Sequence, residues 1–290
     1  MRSQWKRLSR KYALNSYKVN TLGKLENARL YIGDADIEQE AYEIPIGQVA
    51  VIVAACYDKQ GAGEDAAALI PVTKDRVVLA VADGVGGLPA GRRASKTAVS
   101  LLSEQLKTVD ADGARPRTAI LDGIEATNRT LIELGTGSAT TLVAADIQDH
   151  MVRTFHVGDS GAWLIGQQGV IKFQTTPHSP VGFGVEAGLI DADEALKHEE
   201  LHVITNVIGS SEMRIEMSTP TPIAPRDTLL LASDGLFDNV LPDEIIELIR
   251  KGPIDECMQN IWDLAAKRML GDKDKPSKPD DFSAILFRLN

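Results

Sequence analysis

Acidic residues punctuate the β-strand pattern of this chain, and their placement constrains its fold more than any other feature. Val78-Leu79-Ala80-Val81-Ala82 runs straight into Asp83-Gly84, and Leu229-Leu230-Leu231-Ala232-Ser233 runs into Asp234-Gly235. In Phe155-His156-Val157-Gly158-Asp159-Ser160 the glycine comes first. Asp280-Asp281 stand before Phe282-Ser283-Ala284-Ile285-Leu286, and Glu64-Asp65 stand before the apolar run Ala66–Ile70. One strand ending in Asp-Gly is an ordinary turn. Five acid-bearing strand ends in one chain ask for a common cause. Strands paired in one sheet core bring their ends to a shared rim, so these carboxylates converge. Converged carboxylates repel and raise one another's pKa, and a divalent cation removes that conflict. Oxygen-only ligands suit Mg²⁺, Mn²⁺ or Ca²⁺ rather than zinc. Glycine after Asp83 leaves room for a backbone carbonyl to approach an ion. A cluster of this size can hold two ions, about 3.5–4 Å apart, the usual arrangement for clamping phosphate oxygens.

The elements between the acids set the fold class. Short apolar runs at 49–54, 77–82, 140–145, 152–157, 162–165, 228–232 and 283–289 read as strands. Apolar residues at helical spacing mark helices over 90–109, 117–134, 242–251 and 254–270. Residues 177–202 are rich in Gly, Pro and acids, and read as a surface flap with a short helix at Asp193–His198. Strands, two helices, many strands, two helices and a closing strand do not make β-α-β units. The order predicts mainly antiparallel sheets with helix pairs outside.

Composition narrows the function. There are 31 Lys+Arg against 41 Asp+Glu, a net charge of −10. Residues 1–30 hold eight basic residues and one acid, giving +7, so the remaining 260 sum to −17. Residues 1–45 are therefore expected as a basic extension ahead of a single domain at 46–290. An acidic body argues against nucleic acid as the partner. No run reaches the roughly 18 apolar residues of a membrane helix. Cys56 and Cys257 are too few for a disulfide framework or a thiolate zinc site. A monomer of the reducing cytoplasm is the expectation. The chain carries no GxxxxGK[ST] loop for nucleotide phosphates and no Gly-x-Ser-x-Gly elbow for a serine hydrolase.

From about residue 45 to the end, the chain resembles the metal-dependent serine/threonine phosphatases of type 2C, in that family's motif order. Glu64-Asp65 is similar to its first acidic motif and Asp83-Gly84-Val85-Gly86-Gly87 to its Asp-Gly-x-Gly-Gly. Gly137-Ser138-Ala139-Thr140-Thr141 resembles its Gly-Ser-Thr-Ala element, and Val157-Gly158-Asp159-Ser160 its Val-Gly-Asp-Ser turn. Ser233-Asp234-Gly235-Leu236-Phe237-Asp238 and Asp280-Asp281-Phe282-Ser283 resemble the last two motifs. Residues 194–209 are worded like bacterial members.

The resemblance implies an α+β fold, a four-layer α-β-β-α sandwich. It implies two Mg²⁺ or Mn²⁺ ions and in-line attack of a metal-bridging hydroxide on phosphoserine or phosphothreonine of a protein substrate. By the same resemblance, Asp83 bridges both ions, the Gly84 carbonyl binds one, and Asp234 and Asp280 bind the other. Glu64 acts through water with Asp65 beside it, and Asp159 serves a third, weaker ion with Asp238 nearby. Two positions depart from the pattern. Gln60 stands where the family often has a phosphate-gripping arginine, which leaves Lys59, Arg92 or Arg93 as replacements. Val85 stands where many members have a histidine, and valine transfers no proton. His178, in the flap segment, and His156, just before the Gly-Asp turn, are the candidates to replace it as general acid, with a structural histidine as the other reading of each. Two further readings stay open: a non-catalytic binding or regulatory module on the same fold, and a hydrolase of small phosphoesters.

Overall fold

The computed structural model of the chain describes residues 22–57, 62–85, 87, 90–107, 109, 115–271 and 275–290. Two seven-stranded sheets face each other. The first takes β1 (Gly23–Lys24), β3 (Ile37–Ile44), β4 (Gly47–Ala54), β16 (Phe282–Leu289), β15 (Thr228–Ala232), β11 (Gly161–Ile165) and β12 (Ile171–Gln174) in that spatial order. The second takes β13 (Glu216–Met217), β10 (Met151–Val157), β9 (Leu142–Gln148), β6 (Arg76–Ala82), β5 (Ala66–Thr73) and β2 (Arg29–Tyr31), with β14 (Thr221–Pro222) also on β10. Apart from the short β1–β3 pair, which is parallel, the ladders of both sheets are antiparallel. A third pairing joins β7 (Gly84–Val85) to β8 (Ala139–Thr140).

Period-two alternation explains the layers. In β4, Val49, Val51 and Val53 enter the core between the sheets, while Ala50, Ile52 and Ala54 enter the core under the helices. In β6, Val77, Leu79 and Val81 point between the sheets, and Val78, Ala80 and Ala82 point outward to helices. Helices α1 (Ala90–Lys107) and α2 (Pro116–Leu134) cover the second sheet through Ala94, Ala98, Leu102, Ile120 and Ile124. Two further helices, Pro242–Ile249 and Ile254–Met269, cover the first sheet through Ile245, Ile249, Met258, Ile261 and Trp262. The result is the expected four-layer α-β-β-α sandwich. No described helix is long and apolar enough to cross a membrane.

Three expectations change. The domain does not begin at 46: β3 pairs with β4 over all eight residues from Ile37↔Ala54 to Ile44↔Gly47, and β2 extends the other sheet. Buried Tyr31 and Tyr42 both donate to Glu40, which ties these strands together. Residues 1–21 of the expected extension lie outside the described residues. The strand expected at 140–145 breaks at Thr141, whose N–H turns to the Asp83 carbonyl at 2.8 Å. The flap holds two short helices, α3 (Pro180–Glu186) and α4 (Ala192–Ala195), rather than one at 193–198. Ser179 caps α3 by accepting from the Gly182 N–H at 2.9 Å, and Pro180 takes its first position. Among the described residues the three remaining helices are α5 (Asp234–Phe237), α6 (Pro242–Ile249) and α7 (Ile254–Met269).

Leu79 is fully buried between the sheets. Leu79→Ala is expected to lower the unfolding free energy by about 2–5 kcal/mol, transfer loss plus cavity. Urea denaturation reads this, and a change under about 1 kcal/mol would contradict the tight inter-sheet packing.

Candidate metal centre

The strand register delivers the acids to one rim. Ala66 pairs with Ala82, so Asp65, just before β5, and Asp83, just after β6, sit side by side. Ala232 pairs with Ala284, so Asp234, after β15, and Asp280, before β16, share the end of the other sheet. The Asp65 carboxylate joins the two sheets. Its Oδ2 accepts from Ser233 Oγ and Ser283 Oγ, each at 2.7 Å.

The Asp83 backbone is held on both sides. Its N–H donates to Thr141 Oγ1 at 3.0 Å, and its carbonyl accepts from Thr140 Oγ1 and Thr141 N at 2.8 Å. Thr141 Oγ1 also hydrogen-bonds Ser160 Oγ at 2.7 Å, which links the Asp83 turn to the Asp159 turn. Gly158 makes this approach possible. It lies at φ +104°, and a Cβ there would stand 2.6 Å from the Thr141 side chain.

The electrostatics follow from the crowding. Burial, and then Asp65, Asp234, Asp159 and Asp280, hold the Asp83 carboxyl well above the ordinary carboxylate range. Burial and then Asp281 do the same to Asp65, against the pull of its two serine hydroxyls. Burial and Asp234 push Asp159 up to about 7. Burial and Asp234 push Asp238 up to about 8, although Lys278 pulls it down. Asp159 Oδ1 is buried with no hydrogen-bond partner among the described residues. A buried acceptor left so is costly unless a cation or water meets it.

Glu64 and the Gly84 carbonyl meet over Gly91. A Cβ on Gly91 would lie 2.4 Å from Glu64 Oε1 and 2.6 Å from Gly84 O. Two oxygens thus converge where only a glycine fits. Asp281 holds Glu64 from behind: its Oδ1 accepts from Cys56 N–H at 2.6 Å and its Oδ2 from Glu64 N–H at 2.7 Å. Both oxygens accept, which an asparagine amide could not do.

Sequence reasoning missed Gly91, the anchoring use of Asp281, and Lys278. The Lys278 ammonium lies 2.5 Å from Asp234 Oδ2, 2.8 Å from Asp238 Oδ2 and 3.5 Å from Asp280 Oδ2. No local motif announces these contacts. Gly91 opens a helix, and Lys278 sits in a polar loop.

The histidines stand beside the cluster in structural duties. His156 and His178 stack at 4.4 Å between ring centroids. His178 Nδ1 accepts from the Gly158 N–H at 3.0 Å and from Asn206 Nδ2 at 2.9 Å, so the proton sits on Nε2, 3.2 Å from Glu216 Oε2. His156 Nε2 lies 3.0 Å from the Thr176 carbonyl. Both rings therefore brace the Gly158-Asp159 turn against the flap. Among the expected phosphate-binding cations, Arg92 is paired with Asp34 and lies 3.4 Å from the Ile32 carbonyl. Arg93 is exposed, and Lys59 lies outside the described residues. A cavity of about 420 Å³ adjoins Asp159, Asp234 and Asp238, and Val181, Val185 and Leu201 of the flap line it.

Comparison with known proteins adds four findings. Residues 54–270 match the family model described as Protein phosphatase 2C. The chain is 32% identical over 196 residues to the serine/threonine phosphatase stp of Listeria monocytogenes serotype 4b, covering 64% of this chain and 77% of that protein. It superposes on the serine/threonine phosphatase Stp1 of Staphylococcus aureus with a TM-score of 0.72 at 24% identity, over 95% of this chain and 99% of that one. It also superposes on the catalytic domain of the serine/threonine protein phosphatase PstP in complex with two manganese ions, with a TM-score of 0.64 at 24% identity, over 84% of this chain and 98% of that one.

The raised carboxyls fix a pH dependence. Folded Asp159 and Asp238 keep protons up to about pH 7 and 8, while their unfolded counterparts lose them near the ordinary 3.8. The folded state binds more protons across that window, so its stability falls as pH rises. In chelator, the melting temperature is expected to fall between about pH 5 and pH 8, and added Mn²⁺ to restore it most at the upper end. Scanning fluorimetry reads both, and a chelated melting temperature that climbs through the window contradicts the crowding.

Proposed function

Because the chain belongs to the protein phosphatase 2C family, we propose that its rim of carboxylates holds two Mg²⁺ or Mn²⁺ ions and hydrolyses phosphoserine and phosphothreonine in proteins. The convergence of Asp83, Asp159, Asp234 and Asp280 carries this reading, since after burial the other three each raise the Asp83 carboxyl. The donor set is all oxygen and fits hard dications, and beside it lies a buried Asp159 oxygen with no hydrogen-bond partner among the described residues, which adds to the rim's attraction for positive charge. Asp83, the Gly84 carbonyl, Glu64, Asp234 and Asp280 would hold the ions. Dications there supply the positive charge that phosphoryl transfer draws on.

The chain's own residues set the geometry. Thr140 and Thr141 fix the Asp83 backbone, Asp65 ties the sheets through two serines, and Asp281 holds Glu64 in place. His178 holds the Gly158 N–H, and so the turn that presents Asp159. The apolar cavity under the flap receives the segment of substrate next to the phosphorylated side chain. Cys56 and Cys257, buried and outside any disulfide, fit the reducing cytoplasm; the enzyme is read as a monomer that acts in signalling against a protein kinase.

Release of phosphate from a phosphothreonine peptide tests the function. It should require Mn²⁺ or Mg²⁺, stop on chelation, and fall at least about 100-fold in Asp83→Asn. Release that survives chelation, or is unchanged in Asp83→Asn, overturns the proposal. Asp281→Ala frees the Glu64 backbone and should weaken Mn²⁺ binding about 10–100-fold, read by calorimetry. Unchanged affinity would show that Glu64 is held without Asp281.

A further inference from the structure

Lys278 puts a positive charge inside the carboxylate cluster, at hydrogen-bond distance from Asp234 and Asp238 and 3.5 Å from Asp280. Its placement is built. Its N–H donates to Asn239 Oδ1 at 2.7 Å, and its carbonyl accepts from Asn239 Nδ2 at 2.8 Å. Asn239 is fully buried and also donates to the Gly235 carbonyl at 2.9 Å, one residue after Asp234. One amide thus locks the lysine backbone to the turn that carries the acids. Pro279 follows and restricts the backbone further. The side chain is only one-third exposed.

An ordinary surface lysine samples solvent and pairs loosely. This one is clamped at its backbone and faces three carboxylates. An ammonium 2.5–2.8 Å from Asp234 Oδ2 and Asp238 Oδ2 stands where a dication bridging those oxygens would have to sit. The two cannot share that space, and their charges repel.

We propose that Lys278 is a tethered cation that takes the Asp234–Asp238 side of the centre, so that this chain needs no third ion there. This rests on the proposed metal centre. Asp159 and Asp238, expected from sequence to serve a third ion, then share a cluster whose outer charge the protein supplies itself. Asp83, the Gly84 carbonyl, Glu64 and the remaining oxygens of Asp234 and Asp280 stay available for dications.

The test compares the full-length wild type with Lys278→Met, which keeps an unbranched stem and removes the charge. Equilibrium dialysis against Mn²⁺ counts bound ions. The variant is expected to take up about one more Mn²⁺ per chain than the wild type, and to melt lower than the wild type in chelator, where its acids lose their counter-charge. Equal, non-zero ion counts and affinities in both proteins overturn the role of Lys278 and leave the metal centre standing. No Mn²⁺ uptake by either protein overturns both. A second measurement needs only the wild type and covers a variant that does not fold. Acetic anhydride labelling with mass spectrometry should find Lys278 slow to react with and without saturating Mn²⁺. Rapid labelling of Lys278 once Mn²⁺ is bound means that the ion displaces it, and overturns the proposal.

Discussion

Carboxylates crowded at one rim repel each other, and most of the surrounding structure answers that repulsion. Asp65 is held by two serine hydroxyls, one from each side of the β15–β16 pair. The Asp281 carboxylate is held by two backbone N–H groups, and the backbone of Asp83, not its carboxylate, by a threonine pair. Hydrogen bonds to a charged carboxylate are stronger than neutral ones, and they partly offset the loss of water around it. They do not cancel burial and the like charges, which in that order raise the Asp83, Asp159 and Asp238 carboxyls. The cluster therefore keeps a standing attraction for cations, and Lys278 meets part of it from within the chain.

The apolar layers make that strain tolerable. Valines and leucines of β4, β6, β15 and β16 fill the space between the sheets. The outer face of the second sheet is built from small residues, Ala66, Ala68, Ala80, Ala82 and Ala144, which lets α1 sit close. That closeness brings Gly91, at the start of α1, against the Gly84 carbonyl and the Glu64 carboxylate. Helix packing and site geometry are thus one contact.

Apart from the strands of two to four residues, which are too short to carry a pattern, the strands between 47 and 289 were legible because alternation and apolar runs are local signals, and the acids at their ends marked the rim. Residues 22–44 were not, because β3 reads Ile-Glu-Gln-Glu-Ala-Tyr-Glu-Ile and lies half-exposed along its first half. Its charges look like those of a solvated tail, and only pairing with β4 reveals a strand. Helix α3 hid in a Gly-rich stretch although Ser179-Pro180 is a sound start signal. Gly91, Asp281 and Lys278 act on partners far away in the chain, and single-chain periodicity carries no such information. Residue type and place beside the Gly158-Asp159 turn leave the two histidines open to a chemical or a structural role; in the fold, their ring nitrogens are committed to the Gly158 turn and the flap.

The two sheets contribute to one rim from opposite layers: Asp83 closes a strand of the second sheet, while Asp234 and Asp280 belong to the first. Strand residues are spaced about 3.3 Å apart. A slip of one layer over the other by a single residue would separate these oxygens by more than a metal–ligand bond length. The centre therefore works as a vernier on the sandwich. Only a chain whose layers have stacked in the right alignment would present the proposed ligand set complete.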